Sequence, residues 1–130
     1  MCWFLYICIV KYLLIENNII MECLCKIKSV FKKIQQFDQD LNKNIGVTLN
    51  EAMIICSLSD SIKSSGELSS DTGVSVSRTS RVLSALETKQ IVKRSVDIID
   101  KRKMMFILTS IGLDKYQQIS SLDINLDLSI

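Results

Sequence analysis

Residues that break helices are nearly missing from this chain, and this constrains its fold more than any other feature. The 130 residues contain no proline and only 4 glycines. A β-sandwich requires many tight turns, which glycine and proline favour, whereas long helices tolerate few breaks. Because 48% of the residues are hydrophobic, the chain has enough apolar material for the core of one modest domain. The sequence therefore predicts a mainly α-helical fold.

The cysteine and histidine contents limit the possible chemistry. The 5 cysteines include no C-x-x-C pair, and histidine is absent. The chain therefore lacks the usual ligands of a mixed zinc site and the base of a Ser-His or Cys-His hydrolase. We predict a reduced, cytoplasmic protein that is not an enzyme and has no metal site or cofactor.

Positive charge is concentrated in one part of the chain. Residues 73–105 carry 8 basic and 3 acidic side chains, whereas the remainder carries 8 basic and 11 acidic ones. This segregation favours a polyanionic partner such as nucleic acid, although a solvated basic face would produce the same pattern.

Residues 1–20 are strongly apolar, which raises the question of a membrane span or a signal peptide. The uninterrupted apolar run, which Lys11 ends, is about half of the roughly 20 residues that a span needs. No basic segment or small-residue cleavage site frames it. We therefore predict no membrane segment. Met21 offers an internal start, so one interpretation of residues 1–20 is a non-native extension.

Residues 21–47 are predicted to form a long amphipathic helix with a possible role in dimerisation. Apolar residues recur mostly at spacings of three and four, with lysines between them, at Leu24, Ile27, Phe31, Ile34, Leu41 and Ile45. This stripe can pack against the helix's own domain or against a second subunit.

Two capping boxes mark the starts of the next two helices. Thr48 with Glu51, and Ser64 with Glu67, have the required residue types and spacing. The first of these helices is predicted to bury one face, comprising Leu49, Ala52, Met53 and Cys56. This interpretation makes Cys56 a core thiol.

A glycine turn joins the second capped helix to a third. Gly73 is suited to the left-handed conformation that ends a helix near Thr72, and Ser75 is a good N-cap for the helix that follows. The inner face of that helix is predicted to comprise Thr79, Val82, Leu83 and Leu86. The residues exposed near its start are predicted to be Val76, Ser77, Arg78 and Arg81. Two helices joined in this way form a helix-turn-helix.

The pattern after Gln90 changes to two short β-like stretches, residues 91–96 and 104–108, separated by the charged segment 97–103. We interpret them as a two-stranded hairpin, or wing. Residues 113–130 are predicted to form a short C-terminal helix and a tail, from the helical spacing of Leu113, Tyr116, Ile119 and Leu122.

Two segments carry a family resemblance: residues 67–92, ELSSDTGVSVSRTSRVLSALETKQIV, and residues 100–112, DKRKMMFILTSIG. The first resembles the helix-turn-helix of the MarR family of transcriptional regulators. The second is similar to that family's wing signature, D-x-R, five residues, then L-T-x-x-G. The resemblance implies a winged helix-turn-helix domain at residues 48–112, flanked by N- and C-terminal helices. It also implies a homodimeric transcriptional regulator that binds double-stranded DNA and a small-molecule effector of unknown identity.

The sequence departs from the family pattern at three places. Gln90 stands where glycine is usual, and Thr72 stands where an apolar residue normally anchors the helix. Only 18 residues follow Gly112, whereas family members continue into longer C-terminal helices that pair with the first helix to build the dimer.

The predicted major-groove contacts lie on the third helix. Its exposed N-terminal half fits the groove, where side chains meet base edges and phosphates. Arg78 is favoured for two-point binding of guanine, and Ser75, Ser77 and Arg81 are predicted to contact DNA beside it.

The predicted wing contacts are Lys101, Arg102 and Lys103. The resemblance implies that Arg102 enters the minor groove and that Asp100 holds the shape of the wing. A carboxylate two residues from an arginine can also orient it through a charge-assisted hydrogen bond, and a narrow minor groove attracts the cation. Lys101 and Lys103 are expected to attract phosphates.

Two alternative functions remain open. Some MarR-type repressors carry a reactive cysteine in the first helix, so Cys23 and Cys25 suggest a redox-sensing repressor. A winged fold can also serve as a protein-interaction module that does not bind DNA.

Overall fold

The computed structural model describes residues 2–122, except for the side chains of residues 2 and 15–17. Within this range the elements are α1 (Cys2–Ile45), α2 (Leu49–Ser57), β1 (Lys63–Ser64), α3 (Ser65–Thr72), α4 (Val76–Thr88), β2 (Val92–Val96), β3 (Met104–Leu108) and α5 (Ser110–Ser120). The prediction of a mainly α fold with a small β-sheet is confirmed. The part of the predicted tail at residues 123–130 lies outside the described residues.

The described residues fall into two compact units, 2–36 and 37–122. The first unit consists of the N-terminal part of α1, which exposes many of its large apolar side chains, including Trp3 and Phe4, each at 82%. The predicted stripe residues Leu24, Ile27 and Phe31 are also exposed, at 51%, 61% and 59%. By length and composition alone α1 qualifies as a membrane-crossing helix.

The second unit contains the hydrophobic core. Buried side chains come from the end of α1 and from α2, α3, α4 and the sheet, and the largest are Leu41, Ile54, Ile55, Leu68, Leu83, Leu86 and Ile91. Leu41 and Ile45, the last two members of the predicted α1 stripe, belong to this core. The C-terminal end of that stripe therefore packs within the second unit.

The sheet has three antiparallel strands in the order β1-β3-β2. β2 and β3 form the predicted wing hairpin, with Val92 opposite Leu108 and Val96 opposite Met104. β1, which the sequence did not predict, pairs Lys63 with Phe106 on the other side of β3. Two residues are too few to show a period of two, so no sequence pattern marks this strand.

The predicted helix ends are confirmed. Both capping boxes are formed, and Ser75 caps α4 by accepting a hydrogen bond from the Arg78 amide. Gly73 is left-handed, with φ of 74°. Gln90 takes the same conformation, with φ of 61°, and the Ile91 amide reaches back to the Leu86 carbonyl at 2.9 Å. Gln90 therefore occupies the left-handed position that glycine usually takes at the C-terminal end of a helix.

The prediction for the buried face of α2 is partly wrong. The helix buries Glu51, Ala52, Ile54 and Ile55, while Cys56 is exposed, although desolvation raises the pKa of its thiol. The predicted face did not include Glu51, and a carboxylate is costly to bury without a partner. Glu51 is inward because Lys89 Nζ lies 2.9 Å from its Oε2. Cys56 is therefore not a core thiol.

Candidate nucleic-acid interface

The turn between α3 and α4 is held by a compact set of hydrogen bonds. Ser69 Oγ donates to the Val74 carbonyl at 2.6 Å, and the Val74 amide donates to Thr72 Oγ1 at 3.3 Å. Thr72, which replaces an apolar residue of the family pattern, thus accepts a hydrogen bond from a backbone amide of the turn. The buried anchor of α3 is instead Leu68. The turn fixes where α4 begins.

The start of α4 presents three predicted contact residues to solvent. Ser77, Arg78 and Arg81 are exposed, whereas Thr79 on the opposite face is fully buried. Across residues 2–122, neither guanidinium makes an ion pair or a hydrogen bond. Both arginines are therefore free to bind an external anion or base edge. The Ser75 hydroxyl, by contrast, already accepts from the Arg78 amide at 3.4 Å.

Two aspartates shape the wing turn. The Asp97 amide donates to the Lys103 carbonyl at 3.2 Å, and Asp97 Oδ1 accepts from the Ile99 amide at 3.1 Å. Asp100 Oδ1 accepts from the backbone amide of Arg102 at 3.0 Å. Within the described part of the chain Asp100 has no contact with the Arg102 guanidinium, so this carboxylate orders the backbone of the turn and leaves the arginine side chain free.

The three cations predicted to contact DNA from the wing differ in their surroundings. Lys101 and Arg102 are exposed and have no side-chain partner among the residues described. Lys103 Nζ instead lies 3.2 Å from Glu67 Oε1 on α3. Glu67 also accepts from the Ser64 amide, and this bond, followed by the contact with Lys103, lowers the pKa of its carboxyl. Lys103 therefore ties the wing to the helix-turn-helix, whereas the charges of Lys101 and Arg102 remain free.

A second tie to the wing was missed by the sequence interpretation. Arg94 on β2 pairs with Glu87 on α4, with 2.7 Å between Nε and Oε1. Its guanidinium carbon lies 5.8 Å from the ring centroid of Phe106 on β3, within cation–π range. Neither contact has a local signature, because the partners lie on different elements. The wing is consequently held against the C-terminal half of α4.

The L-T-x-x-G segment at the end of the wing has a direct structural explanation. Thr109 Oγ1 donates to the Gln90 carbonyl at 2.5 Å and accepts from the Gly112 amide at 3.1 Å as the N-cap of α5. A Cβ at Gly112 would overlap the carbonyl oxygen of Ile91. This motif joins the end of β3 to the start of β2 and so sets the position of the hairpin.

A polar cluster joins α2, β1 and α3 behind the turn. Ser57 Oγ donates to Asp71 Oδ2, and Lys63 Nζ lies 3.1 Å from the same oxygen. These two contacts, in that order, lower the pKa of Asp71. The cluster anchors the C-terminal end of α3, whose residues Ser69, Ser70 and Asp71 are weak helix formers.

The predicted redox cysteines Cys23 and Cys25 lie exposed on α1. No group of three or more metal-ligating side chains occurs among the residues that the structure describes. The redox hypothesis stays a prediction.

Several solved structures share this architecture. A mutant of MarR from E. coli, solved in complex with operator DNA, is 25% identical, with a TM-score of 0.64 and coverage of 78% of this chain and 74% of its own. AbsC, a MarR family transcriptional regulator from Streptomyces coelicolor, is 24% identical, with a TM-score of 0.62 and coverage of 74% and 69%. BpsR from Bordetella bronchiseptica is 17% identical, with a TM-score of 0.66 and coverage of 72% and 68%. No protein-family model matches the chain, and no curated protein sequence matches it significantly.

A helix-turn-helix followed by a β-hairpin that packs on its second helix defines the winged helix-turn-helix class. Within that class, this chain has the fold of the MarR-type transcription regulators.

Proposed function

We propose that this protein is a sequence-specific DNA-binding transcriptional regulator of the MarR type, which acts in the cytoplasm. In this proposal α4 enters the major groove and the wing enters the adjacent minor groove. The observation that carries it is the pair of free arginines, Arg78 and Arg81, on the exposed start of α4, together with the free Lys101 and Arg102 of the wing.

The major-groove part of the proposal assigns different tasks to neighbouring side chains. The planar guanidinium of Arg78 suits guanine, which offers two acceptors on its major-groove edge. Arg81 lies three residues further along α4, where neighbouring turns share a face, and Ser77 adds a small hydroxyl for a phosphate or base. Ser75 contributes mainly as the cap that fixes the position of Arg78.

The wing part of the proposal assigns Arg102 to the minor groove and Lys101 to a phosphate. The two ties between the wing and the helix-turn-helix, Lys103 with Glu67 and Arg94 with Glu87, support a fixed spacing between the two DNA-contacting elements. A fixed spacing lowers the conformational-entropy cost of binding DNA.

We further propose that the active species is a homodimer. One recognition helix and one wing contact too few base pairs for adequate specificity, and two-fold dimers of this class bind half-sites about one helical turn apart. The exposed apolar side chains of α1, such as Leu24, Ile27 and Phe31, support a subunit interface.

A small-molecule effector is the last element of the proposal. BpsR is described as regulated in its DNA binding by 6-hydroxynicotinic acid. In this chain an open, mostly apolar pocket of about 480 Å³ is lined by Phe37, Leu49, Met53, Cys56 and Ile119 among others. Its size and lining suit a compact aromatic or aliphatic ligand.

Selection of bound duplexes from a random-sequence DNA pool tests the proposal. The full chain should enrich sites with two inverted half-sites whose centres lie about one helical turn apart. Retention of all sequences equally at moderate salt would contradict sequence-specific binding, and enrichment of single half-sites would contradict the dimer.

A further inference from the structure

The tip of the wing exposes two large apolar side chains. Ile98 and Ile99 are 96% and 95% exposed, more than any other large hydrophobic residue that the structure describes. They interrupt an otherwise charged turn, between Asp97 and Asp100. Single exposed apolar residues are common on protein surfaces, but two adjacent ones at the end of a projecting hairpin form a contact surface.

The backbone that carries these isoleucines is ordered. The Ile99 amide is held by Asp97 Oδ1 at 3.1 Å, and the Lys103 amide donates to the Asp100 carbonyl at 3.0 Å. The Asp97 amide closes the turn on the Lys103 carbonyl at 3.2 Å. The tip is therefore presented in a defined shape before any partner binds, which reduces the entropy cost of using it.

The charges around the tip indicate its partner. The free cations Lys101 and Arg102 follow Ile99 within three residues, so an apolar surface and two positive charges project from the same turn. A DNA minor groove offers the complementary arrangement, because its walls are deoxyribose and its rims are phosphate. Proteins that bind this groove commonly add apolar side chains to their basic ones.

We propose that Ile98 and Ile99 form an apolar contact with the deoxyribose walls of the minor groove, while Lys101 and Arg102 engage its anionic surroundings. This inference rests on the proposed DNA-binding function and adds two binding residues to it. Burial of apolar surface releases no counterions. The isoleucines therefore contribute affinity that does not depend on salt concentration, in contrast to the cations of the same wing.

The test is a double variant, Ile98→Ser together with Ile99→Ser, compared with wild type. Dissociation constants for a duplex from the selection are measured over a series of salt concentrations. In the proposed complex DNA buries part of each isoleucine. The double serine variant should therefore bind roughly tenfold more weakly, or worse, at every salt concentration. The slope of log K against log salt should stay that of wild type. Ile111→Ser, an exposed isoleucine on α5, is the matched control and should bind like wild type.

The Ile98→Val, Ile99→Val double variant keeps the apolar tip and should retain affinity within about threefold. Since both positions are almost fully exposed, neither double variant should change thermal unfolding. Wild-type affinity in the serine variant would overturn the inference, and would leave the proposed function standing if Arg78→Ala still weakens binding about tenfold. Failure of the wild-type chain to bind any duplex would overturn both.

Discussion

Single residues at the junctions of the winged domain carry much of its geometry. Gln90 ends α4 in a left-handed conformation, Thr109 bridges β3 to the start of β2, and Gly112 allows α5 to approach that strand. Of these, Gly112 permits the least substitution. A Cβ there would overlap the Ile91 carbonyl oxygen and lie 3.0 Å from Leu108 Cδ2, and a backbone atom cannot rotate out of the way.

Gly112→Ala should destabilise the fold by about 2 kcal/mol or more, since α5 or the start of β2 must shift to admit the methyl group. The midpoint of urea unfolding measures this effect. Gly66→Ala is the control: its Cβ would meet only Ser64 Oγ, at 4.0 Å, and alanine favours the helix. Equal stability of the two variants would contradict the close approach at Gly112.

Pairs between elements determine how the helices are oriented. Glu51 closes the capping box of α2 and also meets Lys89 at the end of α4, with 2.9 Å between Oε2 and Nζ. The carboxylate is buried, and the lysine is half exposed. One side chain thus serves a local cap and a contact between elements that lie far apart in the sequence.

Glu51→Gln should destabilise the fold by about 1 to 2 kcal/mol, because Lys89 loses its counter-charge while part of the cap survives. Glu22→Gln removes the exposed pair of Glu22 with Lys26 on α1 and should cost less than about 0.5 kcal/mol. Chemical unfolding of both variants provides the comparison. Equal losses would show that the Glu51 pair contributes no more than a surface pair.

The carboxylates around α3 predict a dependence of stability on pH. The pKa of Glu67 is lowered by the Ser64 amide and by Lys103, and that of Asp71 by Ser57 and Lys63. Folded-state pKa values below the unfolded ones mean that the unfolded chain binds protons first as the pH falls. The stabilisation is therefore complete above the unfolded-state pKa, near pH 4 for carboxyl groups, and is lost as the pH falls through the folded-state pKa.

Urea unfolding midpoints between about pH 6 and about pH 3 test this. The wild type should lose stability at the acidic end, and Glu67→Gln or Asp71→Asn should each flatten that loss. An unchanged pH profile in both variants would mean that these contacts do not stabilise the folded state.

Across the molecule, the sequence predicted features formed by residues close together in the chain, such as helix caps and turns. It did not predict contacts between residues far apart in the chain. The caps at Thr48, Ser64 and Ser75 and the turn at Gly73 depend on residues within four positions of one another, so the sequence contains them. The inward position of Glu51 depends on Lys89, and β1 depends on backbone pairing with β3. Neither relation leaves a periodic pattern.

The candidate site shows the same division. The exposure of Arg78 and Arg81 follows from helical periodicity and is confirmed. The difference between Lys103, which pairs with Glu67, and the free Lys101 and Arg102 depends on the packing of the wing against α3. Composition alone could not separate these cations, although their surroundings in the structure differ.

DNA binding through α4 and the wing is tested by the affinity of the Arg78→Ala, Arg102→Ala double variant for a selected duplex, measured over a series of salt concentrations. We expect a loss of roughly 100-fold, since each arginine contact contributes about a factor of ten, and a shallower salt dependence than wild type. Lys43→Ala, which removes an exposed cation from α1, should leave affinity within about twofold. Wild-type affinity and slope in the double arginine variant would contradict DNA binding through α4 and the wing.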